Sequence, residues 1–167
     1  MIRYVKVIIV ITMGLFFAMI ALNNLTDLET NLTYTHGIIS MSWINNAKVH
    51  WRAIENPIWS HIAYGAIVFW QIITSLYCWI GAAVMLKHIH KDTQKFAQAK
   101  RFALIGLTMG FTFFMIGFVV IASEWFYMFE TELNNVVVKA LLLASLIISC
   151  MAFIFSSTNE NAITLNH

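Results

Sequence analysis

The chain has 167 residues, about the size of one domain, and 60% of them are hydrophobic while only 11% are charged. A soluble domain averages about 45–50% apolar and about 25% charged residues, and a chain this short has too little interior to hide the excess. Lipid must therefore surround much of the chain. The net charge of +2 comes with no basic patch interleaved with aromatics, so we exclude nucleic acid as a partner.

Four apolar runs predict an all-α fold, a bundle of four transmembrane helices forming a single integral membrane domain over residues 1–167. The expected spans are 5–22, 58–86, 102–122 and 136–155. Each has roughly the 20 apolar residues that a spanning helix needs, and almost no charged residue interrupts them. Their hydrophobicity is continuous rather than alternating, which excludes a β-barrel.

The first run follows Arg3 and Lys6, so a cleaved signal peptide is the alternative to a membrane anchor. We favour the anchor because the apolar part exceeds the roughly 7–15 residues of a signal-peptide core. No A-x-A cleavage site follows before Asn23.

The segment 23–57 joins the first two spans. It is too long for a simple link and too aromatic for disorder. Its residues 36–43 are apolar but too few to span, which predicts a surface helix or re-entrant piece on the outer (periplasmic) side. Pro57 fits the first turn of the second span, where a missing N–H costs little.

The distribution of lysine and arginine predicts that both termini lie in the cytoplasm. The predicted inner side carries seven of these residues and the outer side three, which are Lys48, Arg52 and Lys139. Acidic residues reinforce the contrast, with six outside and two inside (Asp92 and Glu160), so the outer side has a net charge of −3 and the inner side +5.

Small residues recur at the spacing that lets helix backbones approach closely. Gly106, Gly110 and Gly117 lie on the third span, and Gly14 and Ala18 on the first. We expect them to pack the bundle internally. The alternative is a face for another membrane protein or for a second copy of the chain.

Four segments carry a family resemblance: NNLTDLETN at 23–31, HGIISM at 36–41, WRAIENP at 51–57 and SEWFYMFE at 123–130. In this order, at these helix ends, they resemble a bacterial family of predicted small integral membrane proteins, a domain of unknown function that is usually four-helical. The resemblance covers nearly the whole chain. It implies the fold and a bacterial inner-membrane location, and it implies no activity, so no catalytic residue is transferred.

These segments meet at the outer ends of the spans and predict a polar cluster there. Its members are Asn23, Asn24, Asp27, Arg52 and Glu124. We expect Arg52 to clamp a carboxylate bidentately, that of Glu124 or Asp27. We favour a structural latch over a ligand or ion site, and a catalytic pair is the third alternative.

An outer platform of aromatic and histidine side chains is predicted beside this cluster, formed by His36, Trp51 and Trp125. His50 and His61 lie on the same side, but no HExxH or similar spacing links these histidines into a metal site. No span holds a histidine deep inside, as a b-type haem would require. We therefore predict no metal, no cofactor and no catalytic residue.

The leading hypothesis for function is a non-enzymatic accessory or scaffold subunit of a membrane assembly. It rests on the missing enzyme motifs, the small-residue faces and the aromatic outer platform. A small-solute or ion carrier acting through the outer polar cluster is the rival, and an intramembrane enzyme or redox subunit is the third hypothesis. A carrier of this size would usually show broken helices, midplane charges or internal repeats, and none is evident.

Overall fold

The computed structural model describes residues 1–156, and this part of the chain folds as an all-α bundle. Four helical segments in it are long and apolar enough to cross a bilayer: Ile2–Thr26, Pro57–Lys87, Thr93–Trp125 and Asn134–Phe155. The predicted fold class is confirmed. Most helix ends lie beyond the predicted ones, because helical hydrogen bonding continues past the last apolar residue. The predicted inner tail with Glu160 lies outside the described residues.

The elements follow one another in a simple order. They are α1 (Ile2–Thr26), α2 (Leu28–Ile39), α3 (Pro57–Lys87), α4 (Thr93–Ala99), α5 (Arg101–Thr112), a π-helix (Phe113–Trp125) and α6 (Asn134–Phe155), with 3-10 turns at His50–Arg52 and Met128–Glu130. α3 begins as predicted at Pro57, where the side chain of Asn56 accepts a hydrogen bond from Ile58 N at 3.1 Å. α3 lies between α1 and α5, and α6 packs on α5 and the π-helix.

We call the half of the bundle that holds the start of α1 the inner half and the half next to α2 the outer half. Glycines bring the helices into close contact in the inner half. A Cβ atom on Gly81 of α3 would lie 2.3 Å from the backbone nitrogen of Ala103 on α5. On α5, a Cβ on Gly106 would lie 2.8 Å from the sulfur of Cys78. The predicted close approach therefore occurs inside the chain at Gly106, as it does at Gly110, whose added Cβ would lie 2.8 Å from the ring of Phe17.

Two buried lysines close the inner end of the bundle. Lys6 on α1 and Lys100 before α5 are each only 2% exposed. Both Nζ atoms donate to the carbonyl of Ser156 at the end of α6, and Lys6 also reaches the carbonyl of Ile154 at 3.3 Å. Cations at a helix C-terminus complement its dipole. These hydrogen bonds join three of the spans, α1, α5 and α6, at this end of the bundle.

The outer segment holds a helix as predicted, but the helix shares only residues 36–39 with the predicted stretch 36–43. α2 begins earlier, at Leu28, and ends at Ile39, after which the chain turns through Met41 at a left-handed φ of 53°. The prediction followed apolar residues alone. The helix also includes the polar residues N-terminal to that apolar run, where the hydroxyls of Thr33 and Thr35 donate to carbonyls four residues earlier.

The outer half of the third span is a π-helix, a conformation rare beyond a single turn and frequent at functional sites. Its last hydrogen bond joins Phe126 N to Ile121 O at 3.0 Å, five residues apart. This helix packs on α6 rather than on α3. The α3 and α5 helices are last joined where Trp70 Nε1 donates to Met109 O at 3.0 Å. Beyond that point the two spans separate.

Candidate functional site

The turn His50–Arg52 is fastened to the bundle as part of an outer cap, which we define as residues 28–56 together with 126–130. Ile54 N donates to Ile39 O at 3.0 Å, so the irregular segment after the turn is joined to the end of α2. A small apolar core lies beneath the cap. Its buried members are Met41, Ile44, Val49 and Phe126.

Arg52 is enclosed by aromatic rings rather than paired with a carboxylate. Its guanidinium carbon lies 5.2 Å from the ring centre of Trp51, 4.9 Å from that of Trp125 and 5.5 Å from that of Tyr127. Nη1 donates to the carbonyls of Glu124 (3.4 Å) and Trp125 (3.3 Å). The buried Nε has no hydrogen-bond partner in the described part. The π faces therefore hold the cation, a form of contact worth about 0.5–2 kcal/mol.

The predicted bidentate clamp of Arg52 on a carboxylate is thus replaced by contacts to backbone carbonyls. Glu124 lies beside Arg52 through its main chain, and its residue is exposed. The reason is geometric: the π-helix ends at Trp125, and its last carbonyls have no helical partners, so a nearby guanidinium satisfies them. These contacts join the turn that holds Arg52 to the end of the π-helix.

The asparagines and Asp27 lie elsewhere. Asn24 turns inward: its Nδ2 donates to Gln71 Oε1 at 2.8 Å, and its carbonyl accepts from the hydroxyl of Tyr64. The carbonyl of Asn23 accepts from Asp27 N at 3.0 Å at the break between α1 and α2. Of the five predicted cluster members, the structure brings together Arg52 and Glu124.

The structure also separates the three members of the predicted outer platform. Trp51 and Trp125 meet edge to face, with ring centres 5.8 Å apart, and both rings lie beside the guanidinium of Arg52. His36 instead faces α3, where its Nδ1 shares a hydrogen bond of 2.9 Å with Ser60 Oγ. His50 Nε2 donates to Ile44 O at 2.7 Å. Within residues 1–156, no three of histidine, cysteine, aspartate and glutamate are grouped as metal ligands would be.

A large cavity, which the sequence did not suggest, occupies the outer half of the bundle. Its volume is about 910 Å³. The walls are α3 and the π-helix, the roof is α2, and Gln71 and Thr112 lie at its deepest point. Residues such as Ile62 and Ile116 both line it and face outwards, so it opens sideways between the two helices. The side-chain oxygen of Gln71 already accepts a hydrogen bond from Asn24.

The only sequence signal for this cavity was weak. Gly117 continues the glycine face of the third span and was expected to pack closely, but a Cβ atom there would meet nothing within 4 Å. The π-helix rotates that face away from α3. Hydrophobicity alone could not separate the two outcomes, because cavity walls and packed interfaces use the same residue types.

Four apolar spans under an aromatic cap define the class: this is an integral membrane protein. The chain belongs to the family described as "Predicted small integral membrane protein (DUF2165)", whose model matches residues 2–158. The resemblance carried by the four segments is thereby confirmed, while the bacterial origin stays a prediction. Comparison with curated proteins gives no match, and comparison with solved structures gives none.

Proposed function

We propose that this protein is a non-enzymatic accessory subunit of a membrane assembly, in a bacterial inner membrane, docking through its outer cap. One observation carries the proposal: the caged Arg52 fixes the cap on the bundle, yet Trp51 beside it is 71% exposed. Large aromatic side chains held on a rigid surface are typical of the centres of protein interfaces.

The chemistry of the partner follows from the charge on this side. Acidic residues outnumber basic ones by six to three outside, and Glu55, Glu130 and Glu132 are exposed on or next to the cap. We expect the partner to be another integral membrane protein whose outer loops carry an excess of lysine and arginine, since complementary charge steers association.

The carrier hypothesis gains less support. A transport site needs polar groups that are available to a solute. In the outer polar cluster, Arg52 is engaged with rings and carbonyls, and Asn24 with Gln71 and Tyr64. These contacts favour the latch.

The docking proposal is tested by a photo-crosslinking amino acid placed at Trp51, with a matched probe at Leu142, which is 66% exposed on α6. The Trp51 probe should crosslink one identified membrane protein in intact cells, and the Leu142 probe should not. Glu130→Lys with Glu132→Lys, and raised salt, should both weaken that crosslink, because surface charge pairs are screened. Equal capture at both probes, or a monomer without a stoichiometric partner, would contradict the proposal.

We also propose that both termini lie in the cytoplasm. The support is that Arg3 donates to the carbonyls of Ile89 (2.9 Å) and Lys91 (2.6 Å), so the basic residues of the N-terminus and of the α3–α4 loop share one end. Single cysteines at Glu29 and Lys95 test this in intact cells. An impermeant maleimide should label position 29 only. Labelling at position 95 would mean that the protein has the opposite orientation in the membrane.

A further inference from the structure

We propose that the cavity between α3 and the π-helix binds one acyl chain of an outer-leaflet phospholipid whose headgroup carries an ammonium. The inference is independent of the docking proposal. It starts from the position of the cavity, whose mouth is continuous with the lipid-facing surface at Ile62, Ile116 and Ile121. In the membrane this mouth meets hydrocarbon rather than water.

The length of the cavity along α3 matches one leaflet. From Ile62 to Gln71, which both line the cavity, α3 covers nine residue steps, or about 14 Å at about 1.5 Å per residue. One leaflet contributes about 15 Å of hydrocarbon, half of a core about 30 Å thick. A volume of about 910 Å³ lies near the upper end of the range for small-molecule sites.

The lining suits a chain rather than a polar solute. Aromatic and aliphatic side chains form most of the wall, and Gln71, which is 1% exposed, is already hydrogen-bonded to Asn24. An empty apolar space this large would forfeit dispersion contacts on every side. An acyl chain supplies them.

The type of lipid headgroup is inferred from the charged residues near the cavity. The roof of the cavity is α2, and Asn31 in that roof donates to the carbonyl of Asp27 at 2.7 Å, so Asp27 lies one helical turn from a residue that lines the cavity. Glu29 is exposed on the same helix, and the outer side has a net charge of −3. An anionic headgroup or a free fatty-acid carboxylate is repelled there, whereas the ammonium of an ethanolamine headgroup is attracted.

Two glycines provide a matched pair of variants for the test. Neither Gly117 nor Gly65 has any atom within 4 Å of an added Cβ, but only Gly117 lines the cavity. Gly117→Leu therefore adds a side chain to the cavity wall at a position where its Cβ meets no other atom, and Gly65→Leu adds the same side chain to the lipid-facing surface of α3. Ala66→Phe fills the cavity from the opposite wall and serves as the second variant.

The purified protein is placed in vesicles containing phosphatidylethanolamine with a diazirine on its acyl chain, and labelled residues are mapped after irradiation. In the wild type, label should concentrate at Ile67, which lines the cavity, over Phe69, which is 62% exposed to lipid on the same helix. Both filling variants should lower labelling at Ile67 about fivefold or more. Gly65→Leu should leave it unchanged.

The outcomes separate the occupants. If the wild type is labelled more strongly at Phe69 than at Ile67, the lipid contacts only the outer surface of the protein and the proposal is overturned. This outcome needs only the wild type, so it can be read even if a filling variant fails to fold. Equal labelling of the filling variants and Gly65→Leu also overturns it, as does a disulfide-linked dimer of Ile67→Cys formed under an added oxidant, which would make a second copy the occupant. Phosphatidylglycerol with the same chain should label about fivefold less, and equal labelling overturns the headgroup assignment.

Discussion

The inner and outer halves of this bundle differ in what lies between the helices. In the inner half, Gly81 and Gly106 let α3 and α5 approach each other closely. In the outer half, α3 and the π-helix diverge around a cavity of about 910 Å³. One half is held by van der Waals contact between backbones, and the other by an aromatic cap around Arg52.

The contrast shows that two halves of one bundle, both built from apolar helices, can pack in different ways. Helices in lipid gain little from hydrophobic expulsion, so close approach decides where they adhere. Glycine faces permit that approach between α3 and α5. The π-helix withdraws the next glycine, Gly117, from the interface, and the outer half then depends on contacts from the cap.

The largest expected effect is in the inner half. Gly81→Ala should destabilise the bundle by about 3 kcal/mol, the upper end for an overpacked interior, because the new methyl would meet the backbone nitrogen and Cα of Ala103 at 2.3 and 2.6 Å. Backbone cannot move aside as a side chain can. Denaturant titration of the protein in mild detergent measures the change.

Gly65→Ala is the matched control, since it changes the same residue type on the same helix at a position open to lipid. It should be neutral or slightly stabilising, because alanine favours the helix over glycine. Equal stability of the two variants would remove the distinction between a packed inner half and an open surface.

Part of this architecture was predictable and part was not, for reasons visible in particular residues. Uninterrupted apolar runs fix the number of spans, and the GxxxG pair Gly106 and Gly110 correctly indicates close packing. The π-helix has no propensity signal of its own, since phenylalanine, valine and isoleucine also suit an α-helix. Arg52 was correctly singled out, but its partners are backbone carbonyls, and those depend on where the π-helix ends.

The second effect concerns the outer half. Arg52→Ala removes two hydrogen bonds and the cation held by three rings, and should destabilise the cap by about 1–2 kcal/mol. Proteolysis of the segment between α2 and α3 should then be roughly tenfold faster, while the inner half keeps its resistance. Limited proteolysis with mass mapping measures both.

Lys48→Ala provides the control for lost charge, because Lys48 is an exposed basic residue of the same segment. It should leave the cleavage rate unchanged. Arg52→Lys keeps the charge but loses the planar fork, and should be intermediate. If Arg52→Ala were cleaved no faster than Lys48→Ala, the contacts of Arg52 with the three rings and two carbonyls would not be what holds the cap on the bundle.

The smallest effect lies in the inner loop, outside the spans. Asp92 caps α4, and its Oδ1 accepts a hydrogen bond from Lys95 N at 2.9 Å. That backbone hydrogen bond lowers the pKa of the Asp92 carboxyl below its ordinary value of 3.8, because it favours the charged form. A lowered pKa in the folded state means that the cap stabilises α4 above pH 3.8 and that this contribution is lost as the pH falls through the folded value.

The amide resonance of Lys95 reports this cap directly. In isotope-labelled protein in detergent, it should titrate with a midpoint below 3.8 in the wild type and show no such transition in Asp92→Asn, which keeps a side-chain acceptor at the cap position without a titrating group. Asp92→Ala should shift the resonance at every pH, since it has no acceptor. A wild-type midpoint at or above the ordinary value would mean that the carboxylate is not held by Lys95 N, and α4 would then start without a side-chain cap.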